Sequence, residues 1–339
     1  MQLEKETIDY SLVISVCNPD ERLLKRCLNA IYNLDITGIN IEVILVDNNC
    51  TSPITNLPYV QEFLRKIPSF KTLIVPAVGL RNARIAAIKE TSGKYIVYFD
   101  YDNEPEFDYM QELKKLNDLF PQIGAIGAGE VSVDFIDGID KNIEKYARLA
   151  FKERHDTATK FSGLHEWQSC YPFDAGLCVS SSLLKEYANL ARDGRFIIPG
   201  LNGNQLSIGD DTQMVLLSVN KGYGAGTSPS LKIRQTIPQA RSNYKYVQQY
   251  VFGAGLSHEN CMAQVISEYK EKLSLEIISK SKFFWLTIDK YFKTIFKPDP
   301  VKTFDFIEFI SMNAGAYIAL NKPVPTPIKR LINFLKLAA

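Results

Sequence analysis

The chain has 339 residues, with 39 lysines and arginines against 38 aspartates and glutamates, which gives a formal net charge of +1. This balance argues against a nucleic-acid binder, whose surface is usually strongly basic. The hydrophobic share of 46% allows a sizeable core and argues against a wholly disordered chain. The length fits one large domain with an appendage, or two domains.

The cysteines and the N-terminus indicate the compartment. Six cysteines are scattered without CxxC spacing, so the sequence does not predict a structural zinc site. The N-terminal residues MQLEKETIDY are charged and lack the apolar core of a signal peptide, and no run of 18 apolar residues predicts a membrane-spanning helix. We therefore expect a reducing, cytoplasmic setting in which the cysteines are free thiols.

The first part of the chain alternates short apolar runs with helical segments. The runs are continuously apolar and rich in branched side chains, as buried parallel strands are. The predicted strands are 11–17, 41–47, 72–76 and 94–100, with a further strand near 124–127. The predicted helices run from about 21 to 32, from 80 to 91 and from 107 to 119. Alternation of strand and helix predicts an α/β fold with a largely parallel sheet.

Polar residues follow three of these strands. Asn18, Asp47 and Asp100 come directly at or after the strand ends. Ligands of open α/β sheets bind beyond the carboxyl ends of the strands, so these side chains are candidates for one binding crevice. Each residue taken alone fits a helix cap or a turn equally well. The three together favour a ligand site.

Two carboxylates, Asp100 and Asp102, leave the fourth strand one residue apart. Carboxylate oxygens are hard ligands that suit Mg²⁺ or Mn²⁺, which often bridges to a diphosphate. A metal held there would offset the charge of a departing phosphate oxygen. The DxD spacing is a weak motif alone, and its place at the end of a buried strand strengthens it.

The rest of the chain contains an irregular segment and then a helical segment. Residues 128–240 are irregular and rich in turn residues, as the substrate loops of an α/β enzyme are. From about residue 245 the pattern is helical, and residues 270–339 hold 12 lysines and arginines against 6 acidic residues, a local net charge of +6. Residues 281–297 mix aromatic residues with lysines. This pattern fits an amphipathic helix at an anionic membrane surface, or a core-packing helix with solvated lysines.

Five stretches, in order, carry a resemblance to a known family. They are SLVISVCNPDERLLKRCLNAI, EVILVDNNCTS, GLRNARIAAIKETSGKYIVYFDYDNEP, GDDTQMVLLSVNKGYGAGTSP and IPQARSNYKYVQQYVFGAG. This series resembles the family 2 glycosyltransferases, which have the GT-A fold, a Rossmann-like sheet flanked by helices. The resemblance implies a GT-A domain over residues 1–257, with a nucleotide-binding half (about 10–127) and an acceptor-side half (about 128–257). A C-terminal helical region would follow at 258–339.

The resemblance implies roles for single residues of the nucleotide-binding half. Asp47 would bind the nucleobase, usually uracil, because a carboxylate can accept a hydrogen bond from its N3–H. Asp100 would face the ribose or the metal, and Asp102 would be the principal metal ligand. Arg84 matches the family's Ala-Arg pair, and Arg81 lies one helical turn earlier, so both guanidiniums could meet the nucleotide. A solvated surface arginine is the alternative for Arg81.

The stretch GDDTQM, residues 209–214, resembles the family's late Glu-Asp motif, in which the aspartate is the general base. That residue matches Asp211, with Asp210 in place of the glutamate. An ionised carboxylate there would take the proton of an acceptor hydroxyl as it attacks the anomeric carbon, which implies a single displacement with inversion. The alternative is that Asp210 and Asp211 only cap the following helix.

The sequence departs from the family's pattern near residue 235. Related members often carry a histidine there as a late metal ligand, and Gln235 stands at the equivalent position as a weaker, neutral oxygen donor. Arg234 could supply positive charge instead. The Gln-x-x-Arg-Trp motif of processive synthases is absent, since QARSN (239–243) lacks the tryptophan, which argues against a synthase that extrudes polysaccharide.

The sequence therefore predicts a metal-dependent, inverting glycosyltransferase. It would move a sugar from a nucleotide donor, expected to be a UDP-sugar, to a sugar, glycolipid or glycan acceptor in cell-surface glycan or polysaccharide assembly. We expect no nucleic-acid partner, and a cytoplasmic location with peripheral contact to the inner face of the membrane through the C-terminal helices. One alternative is a sugar-phosphate nucleotidyltransferase, although CNPDERL (17–23) lacks the expected glycine-rich loop. The other is a non-catalytic nucleotide-sugar-binding subunit, against which Asp211 counts.

Overall fold

A computed structural model describes residues 7–67, 69–197, 208–296 and 299–338. The chain divides into two compact units. The sheet unit comprises residues 1–134, 153–190 and 217–237, and the helical unit comprises 135–152, 191–216 and 238–339. The units interleave along the chain, and the boundary predicted near residue 257 stays a prediction. Residues 198–207 of the predicted substrate loops, and residue 297 of the predicted amphipathic helix, lie outside the described residues.

Strands of the described chain form a ten-stranded mixed sheet. They are β1 (Tyr10–Val16), β2 (Ile41–Asp47), β3 (Phe70–Ile74), β4 (Tyr95–Asp100), β5 (Asn103–Pro105), β6 (Ile123–Phe135), β7 (Arg154–His155), β8 (Lys160–Ser162), β9 (Leu177–Ser180) and β10 (Gly224–Ile237). The order is β3-β2-β1-β4-β9-β6-β10-β5, with β7 paired to β6 and β8 paired to β10. The five predicted strands correspond to β1, β2, β3, β4 and β6.

The direction of the strands changes across the sheet. β1 runs parallel to β2 and β4, and β2 runs parallel to β3, as the sequence predicts. The short strand β9 pairs antiparallel with β4 and with β6. The expectation of a mostly parallel sheet therefore holds for β1 to β4 only. The four residues of β9 are too few to give a periodic signal in the sequence.

Twelve α-helices are described in the structure. In chain order they are α1 (Glu21–Tyr32), α2 (Pro58–Lys66), α3 (Leu80–Glu90), α4 (Tyr109–Leu119), α5 (Lys141–Ala150), α6 (Ser181–Arg192), α7 (Asp210–Asn220), α8 (Tyr244–Val265), α9 (Tyr269–Glu276), α10 (Lys280–Phe296), α11 (Pro300–Ala319) and α12 (Thr326–Phe334).

The core of the sheet unit forms between the sheet and its helices. Asp20 caps α1 by accepting a hydrogen bond from the Arg22 backbone N–H at 3.0 Å. Leu24 and Leu28 of α1 are buried in the same cluster as Leu12 and Ile14 of β1. Burial of these apolar side chains is the main term that stabilises the sheet and fixes where its strands end.

The helical unit has its own core, in which α8 and α11 pack closely. A Cβ atom added at Gly315 of α11 would lie 2.5 Å from the Leu256 carbonyl oxygen of α8, so only glycine fits there. Phe283 of α10 stacks on Tyr317 of α11, with ring centroids 5.7 Å apart. None of the described helices combines the length and apolar character needed to cross a membrane.

Candidate active site

The loop after β2 is fixed by side chains at the strand ends. The two Asp47 carboxylate oxygens accept hydrogen bonds from the Cys50 N–H at 2.9 Å and the Ile54 N–H at 3.0 Å. The Asn18 side-chain oxygen accepts from the Thr51 N–H at 2.8 Å, and Asn18 adopts a left-handed backbone conformation with φ of +47°. Asn18 and Asp47 therefore shape one loop at the end of β2.

Asn48, which the sequence analysis did not single out, joins the same edge of the sheet to α3. Its side-chain N–H groups donate to the Ala77 carbonyl at 2.6 Å and the Val75 carbonyl at 3.2 Å, and its oxygen accepts from the Gly79 N–H at 2.8 Å. These bonds hold the turn that precedes the first residue of α3. Nucleobase binding by Asp47 stays a prediction. It is compatible with the two hydrogen bonds described, because carboxylate oxygens can accept more than one hydrogen bond each.

A buried arginine links α3 to the end of β4. Arg84 is only 2% exposed, and its guanidinium lies 3.7 Å from an Asp100 carboxylate oxygen and 3.9 Å from an Asp174 oxygen. It also lies over the Tyr98 ring, 5.1 Å from the centroid. A buried cation requires charge partners, so Arg84 holds both carboxylates in place. Direct contact of Arg84 with a nucleotide stays a prediction.

The side chains of Asp100 and Asp174, which lie near this buried arginine, are 24% and 30% exposed and so can be reached from solvent. The sequence analysis missed Asp174, which precedes β9, because Asp-Ala-Gly is an ordinary turn sequence. β9 brings the segment beside β4, and the Gly176 N–H donates to the Tyr98 carbonyl at 2.9 Å. Arg81, one turn before Arg84, is half buried, and its contact with a nucleotide stays a prediction.

The DxD segment is joined to the distant strand β10. Asp102 is 1% exposed, and its carboxylate accepts a hydrogen bond from the Asn103 side chain at 2.9 Å. The Asp102 carbonyl accepts from the Thr236 N–H at 2.8 Å and from the Thr236 hydroxyl at 3.0 Å. In the β5–β10 register, Gln235 pairs with Asn103. The structure thus brings Gln235 beside the DxD segment.

These residues fit a metal that is shared with a ligand. The described part of the chain contains no group of three or more His, Cys, Asp or Glu residues that could hold a metal ion. Mg²⁺ and Mn²⁺ are commonly bound by one or two carboxylates together with substrate phosphates. Asp100 and Asp102, with Gln235 as a neutral donor nearby, suit that arrangement rather than an all-protein metal cage.

The buried thiol of Cys27 lies close to the carboxylates at the end of β4 and is affected by their negative charge. Its Sγ lies 3.5 Å from the Asp100 carbonyl oxygen. Burial raises the pKa of Cys27 well above its usual value, and the carboxylates of Asp102, Asp100 and Glu104 raise it further. The thiol therefore stays protonated at neutral pH and is a poor nucleophile. The same negative potential would attract a divalent cation.

The second predicted carboxylate pair lies in the helical unit. Asp210 and Asp211 form the first turn of α7 and are 2% and 8% exposed. The preceding Gly209 has a φ of +122°, and its carbonyl lies 3.4 Å from the Cys261 thiol of α8. Both residues lie in the first turn of the helix rather than before it. The base role of Asp211 stays a prediction.

Comparisons with known proteins give the relatives of this chain. The family model "Glycosyl transferase family 2" matches residues 11–174. This range contains Asn18, Asp47, Arg84, Asp100, Asp102 and Asp174, and it ends before Asp211 and Gln235.

Curated proteins with similar sequences share about a quarter of their aligned residues with this chain. An N-acetylglucosaminyltransferase of Rhizobium meliloti is 23% identical over 236 residues, which cover 69% of this chain and 52% of that protein. An N-acetylglucosaminyltransferase of Sinorhizobium fredii is 23% identical over 244 residues, 69% of this chain and 54% of that protein. The chain thus spans about half the length of these curated relatives.

The fold is shared with solved structures of other proteins. The mannosyltransferase PcManGT from Pyrobaculum calidifontis, in complex with GDP-Man and Mn²⁺, superposes with a TM-score of 0.52. The match covers 92% of this chain and 86% of that chain at 14% sequence identity.

Proposed function

We propose, from the premise that residues 11–174 belong to glycosyltransferase family 2, that this chain transfers a sugar from a nucleotide donor to a hydroxyl acceptor. The GT-A fold predicted from the sequence is confirmed by the likeness to the Pyrobaculum enzyme. The observation that carries the proposal is the cluster at the end of β4. There the buried Arg84 lies 3.7 Å from the carboxylate of Asp100, the first aspartate of the DxD segment, where donors of this fold class would bind.

For the donor we propose UDP-N-acetylglucosamine. The curated relatives are N-acetylglucosaminyltransferases, which supports the sugar. The uridine rests on the family resemblance, in which the aspartate that matches Asp47 binds uracil. Its carboxylate can accept from the uracil N3–H, and it can equally accept from the guanine N1–H and amino group, so experiment decides between the bases. GDP-mannose is the competing donor class, because PcManGT was solved with it. Competition between UDP and GDP separates these possibilities, and tighter inhibition by GDP would contradict the uridine assignment.

The donor diphosphate would lie at the carboxyl ends of β1, β2 and β4. Arg84 would orient Asp100 and Asp174 there, because the buried guanidinium lies within ion-pair distance of both carboxylates. Asp100 and Asp102 would hold a Mg²⁺ or Mn²⁺ ion, with Gln235 as a neutral third donor. The metal would supply positive charge that offsets the negative charge on the leaving UDP.

Asp211 would act on the acceptor. Its carboxylate takes the proton of the acceptor hydroxyl while the hydroxyl oxygen forms a bond to the anomeric carbon. The bond from the anomeric carbon to the diphosphate breaks in the same step, and UDP leaves with the electron pair. A single displacement of this kind inverts the anomeric configuration. The acceptor would be a sugar, glycolipid or glycan of cell-surface polysaccharide assembly.

The C-terminal helix α10 supports a peripheral membrane contact. Trp285, Phe292 and Phe296 are 67%, 48% and 77% exposed. Their spacing of seven and four residues places them on one face of the helix. Phe283 and Tyr291 instead pack against α11 residues. One face of α10 therefore packs on the core, and the other presents aromatic residues.

The exposed surface of α10 also carries Lys280, Lys282 and Lys293 against a single acid, Asp289. Aromatic and cationic side chains on one helix surface suit the boundary of an anionic bilayer. We therefore propose that α10 attaches the protein peripherally to such a membrane, at its cytoplasmic face.

Donor hydrolysis is the experiment that tests the catalytic proposal. The full chain is incubated with UDP-N-acetylglucosamine and Mn²⁺, and UDP release is measured beside thermal stabilisation by the same donor, since a ligand of the native state raises its stability. We expect both signals, and neither with EDTA present. Stabilisation without any UDP release, with or without added sugar acceptors, would favour a non-catalytic binding subunit. Release of pyrophosphate from UTP with a sugar phosphate would favour a nucleotidyltransferase.

A further inference from the structure

A cavity of about 480 Å³ lies within the helical unit, between α5, α8 and α11. Small-molecule sites typically occupy ~300–1,000 Å³, so the space is large enough for sugar units. The cavity exists because the small residues Ala150, Ala254 and Gly255 line it among larger neighbours. Gly255 also contacts Ser311 of α11, a contact too close for any larger residue. Helices α8 and α11 therefore pack in close contact beside the cavity.

Aromatic rings form part of the cavity wall. Tyr146 of α5 and Phe304 of α11 both line it and stack with centroids 4.8 Å apart and an interplanar angle of 16°. Tyr250 of α8 also lines it and stacks on Tyr246 at 6.3 Å. Rings held in this way keep fixed orientations and add apolar area to the wall. The C–H face of a pyranose ring packs well on such a surface.

The polar groups of the cavity suit an uncharged ligand. Its charged side chains are Lys152, Asp305 and Glu308, one cation against two anions, which sum to −1. Burial lowers the pKa of His258, the neighbouring Glu259 opposes this shift, and Lys152 lowers the pKa further, so the net shift favours the neutral imidazole. A phosphate or carboxylate ligand would meet net repulsion here. Sugar hydroxyls would instead find carboxylate acceptors and an ammonium donor.

We propose that this cavity is a binding subsite for a neutral oligosaccharide, the part of the acceptor glycan that lies beyond the reacting sugar. The identity of the ligand as an acceptor rests on the proposed function, whereas the cavity and its chemistry do not. Asp305 and Glu308 lie one helical turn apart on α11, both exposed, where they can bind hydroxyls of adjacent sugar units.

The helix that lines the cavity also supports the candidate base. Tyr250, Ala254 and His258 of α8 face the cavity. Further along α8, the Cys261 thiol donates to the Gly209 carbonyl at 3.4 Å, and Gly209 immediately precedes Asp210 and Asp211. A glycan bound in the cavity would thus be held by the same helix that fixes the first turn of α7.

Binding of defined trisaccharides to the full chain tests the proposal. The probes are triacetylchitotriose, maltotriose and mannotriose, with trigalacturonic acid as the anionic comparison, measured by saturation-transfer NMR and titration. We expect at least one neutral trisaccharide to bind, and Ala254→Leu to weaken it about tenfold or more by filling the cavity. The double variant Asp305→Asn, Glu308→Gln should weaken it several-fold. Glu271→Gln, an exposed acid of α9 outside the cavity, is the matched control and should bind as the wild type does.

Three results would overturn the subsite: no binding of any neutral trisaccharide by the wild type, tighter binding of the anionic probe, or unchanged binding by Ala254→Leu. If Ala254→Leu fails to fold, the exposed double variant decides, and wild-type affinity there would overturn the assignment. Donor hydrolysis by the wild type separates the two proposals. UDP release without trisaccharide binding leaves the proposed function standing and rejects the subsite. Trisaccharide binding that Ala254→Leu weakens, without donor binding or hydrolysis, supports the cavity and rejects the proposed function.

Discussion

The sheet unit and the helical unit position their polar side chains by different means. In the sheet unit, Asp47 and Asn48 sit at the end of β2 and are held by backbone groups of the adjoining loops. In the helical unit, Tyr250, Asp305 and Glu308 border the cavity from two helices that come from different parts of the chain. Asp47 and Asn48 are therefore held by backbone N–H and C=O groups of loops at the edge of the sheet, whereas the groups around the cavity depend on how the helices pack.

This contrast predicts that variants in the two units separate binding from turnover. The donor residues that we propose lie in the sheet unit, and the candidate base and glycan subsite lie in the helical unit. Changes in one unit should therefore move one kinetic or binding parameter and leave the other near its wild-type value.

The largest effect is expected for Asp211→Asn in the helical unit. The amide keeps the shape of the side chain but cannot accept a proton, and loss of a general base costs ~10²–10⁴-fold in rate. We expect turnover with UDP-N-acetylglucosamine to fall by this factor while the dissociation constant of UDP changes little. Asp210→Asn is the neighbouring control and should have a milder effect. The reverse pattern would move the base to Asp210, and full activity of the double variant would remove both residues from the chemistry.

Arg84→Met tests the buried cation of the sheet unit. Methionine keeps most of the volume but leaves Asp100 and Asp174 without the guanidinium that lies 3.7 and 3.9 Å away. Because both carboxylates are partly exposed, we expect a loss of about 2 kcal/mol rather than the ~3–5 kcal/mol of a fully buried pair. Thermal unfolding measures the loss, and the exposed Arg65→Met of α2 is the matched control. Equal melting temperatures of the two variants would mean that Arg84 contributes nothing to holding this edge.

Asp102→Asn tests metal sharing with the donor. An amide oxygen is a weaker ligand for Mn²⁺ than a carboxylate, so the Mn²⁺-dependent part of UDP affinity should fall about tenfold. Titration calorimetry with Mn²⁺ and with EDTA isolates that part. Asp108→Asn, an exposed acid next to α4, should titrate as the wild type does. An unchanged Mn²⁺ dependence in Asp102→Asn would make the metal assignment wrong.

The smallest effect is expected at the exposed aromatic face of α10. Trp285→Ser with Phe296→Ser removes two exposed aromatic side chains without touching the core, so binding to anionic vesicles should fall several-fold while thermal stability is kept. Co-sedimentation with phosphatidylglycerol vesicles measures it, with phosphatidylcholine vesicles as the uncharged comparison. If the wild type pellets with neither vesicle and elutes as a dimer that the variant breaks, the aromatic face is an interface between copies.

Much of the sheet unit could be predicted because its signals are local. β1, β2 and β4 are continuous apolar runs that end at polar residues, and their bounds in the structure lie within one residue of the predicted ones. Gln235 was singled out only through the family resemblance, as a candidate metal ligand, and that role stays a prediction. The β5–β10 register, in which Gln235 pairs with Asn103, was not predicted.

Features that depend on packing between distant segments could not be predicted. Asp174 meets Arg84 only because β9 inserts antiparallel beside β4, and four residues carry no periodic signal. The cavity arises where Ala150 and Ala254 replace larger side chains, and alanine in a helix is compatible with any environment. Some aromatic residues of α10 pack on the core and others are exposed. Aromatic residues occur on more than one side of this helix, so the sequence alone does not show which side faces the core.

The pairing of β5 with β10 also sets an order of events during synthesis. Asp102 and its partner Thr236 are 134 residues apart. At ~5–20 residues per second, a ribosome needs roughly 7–27 seconds to make the intervening chain. Until β10 emerges, the nascent protein carries an open sheet edge, and the DxD segment lacks its hydrogen bonds to Thr236. A chain released early would therefore be unable to capture its donor, and its open edge would be a target for chaperones and proteases.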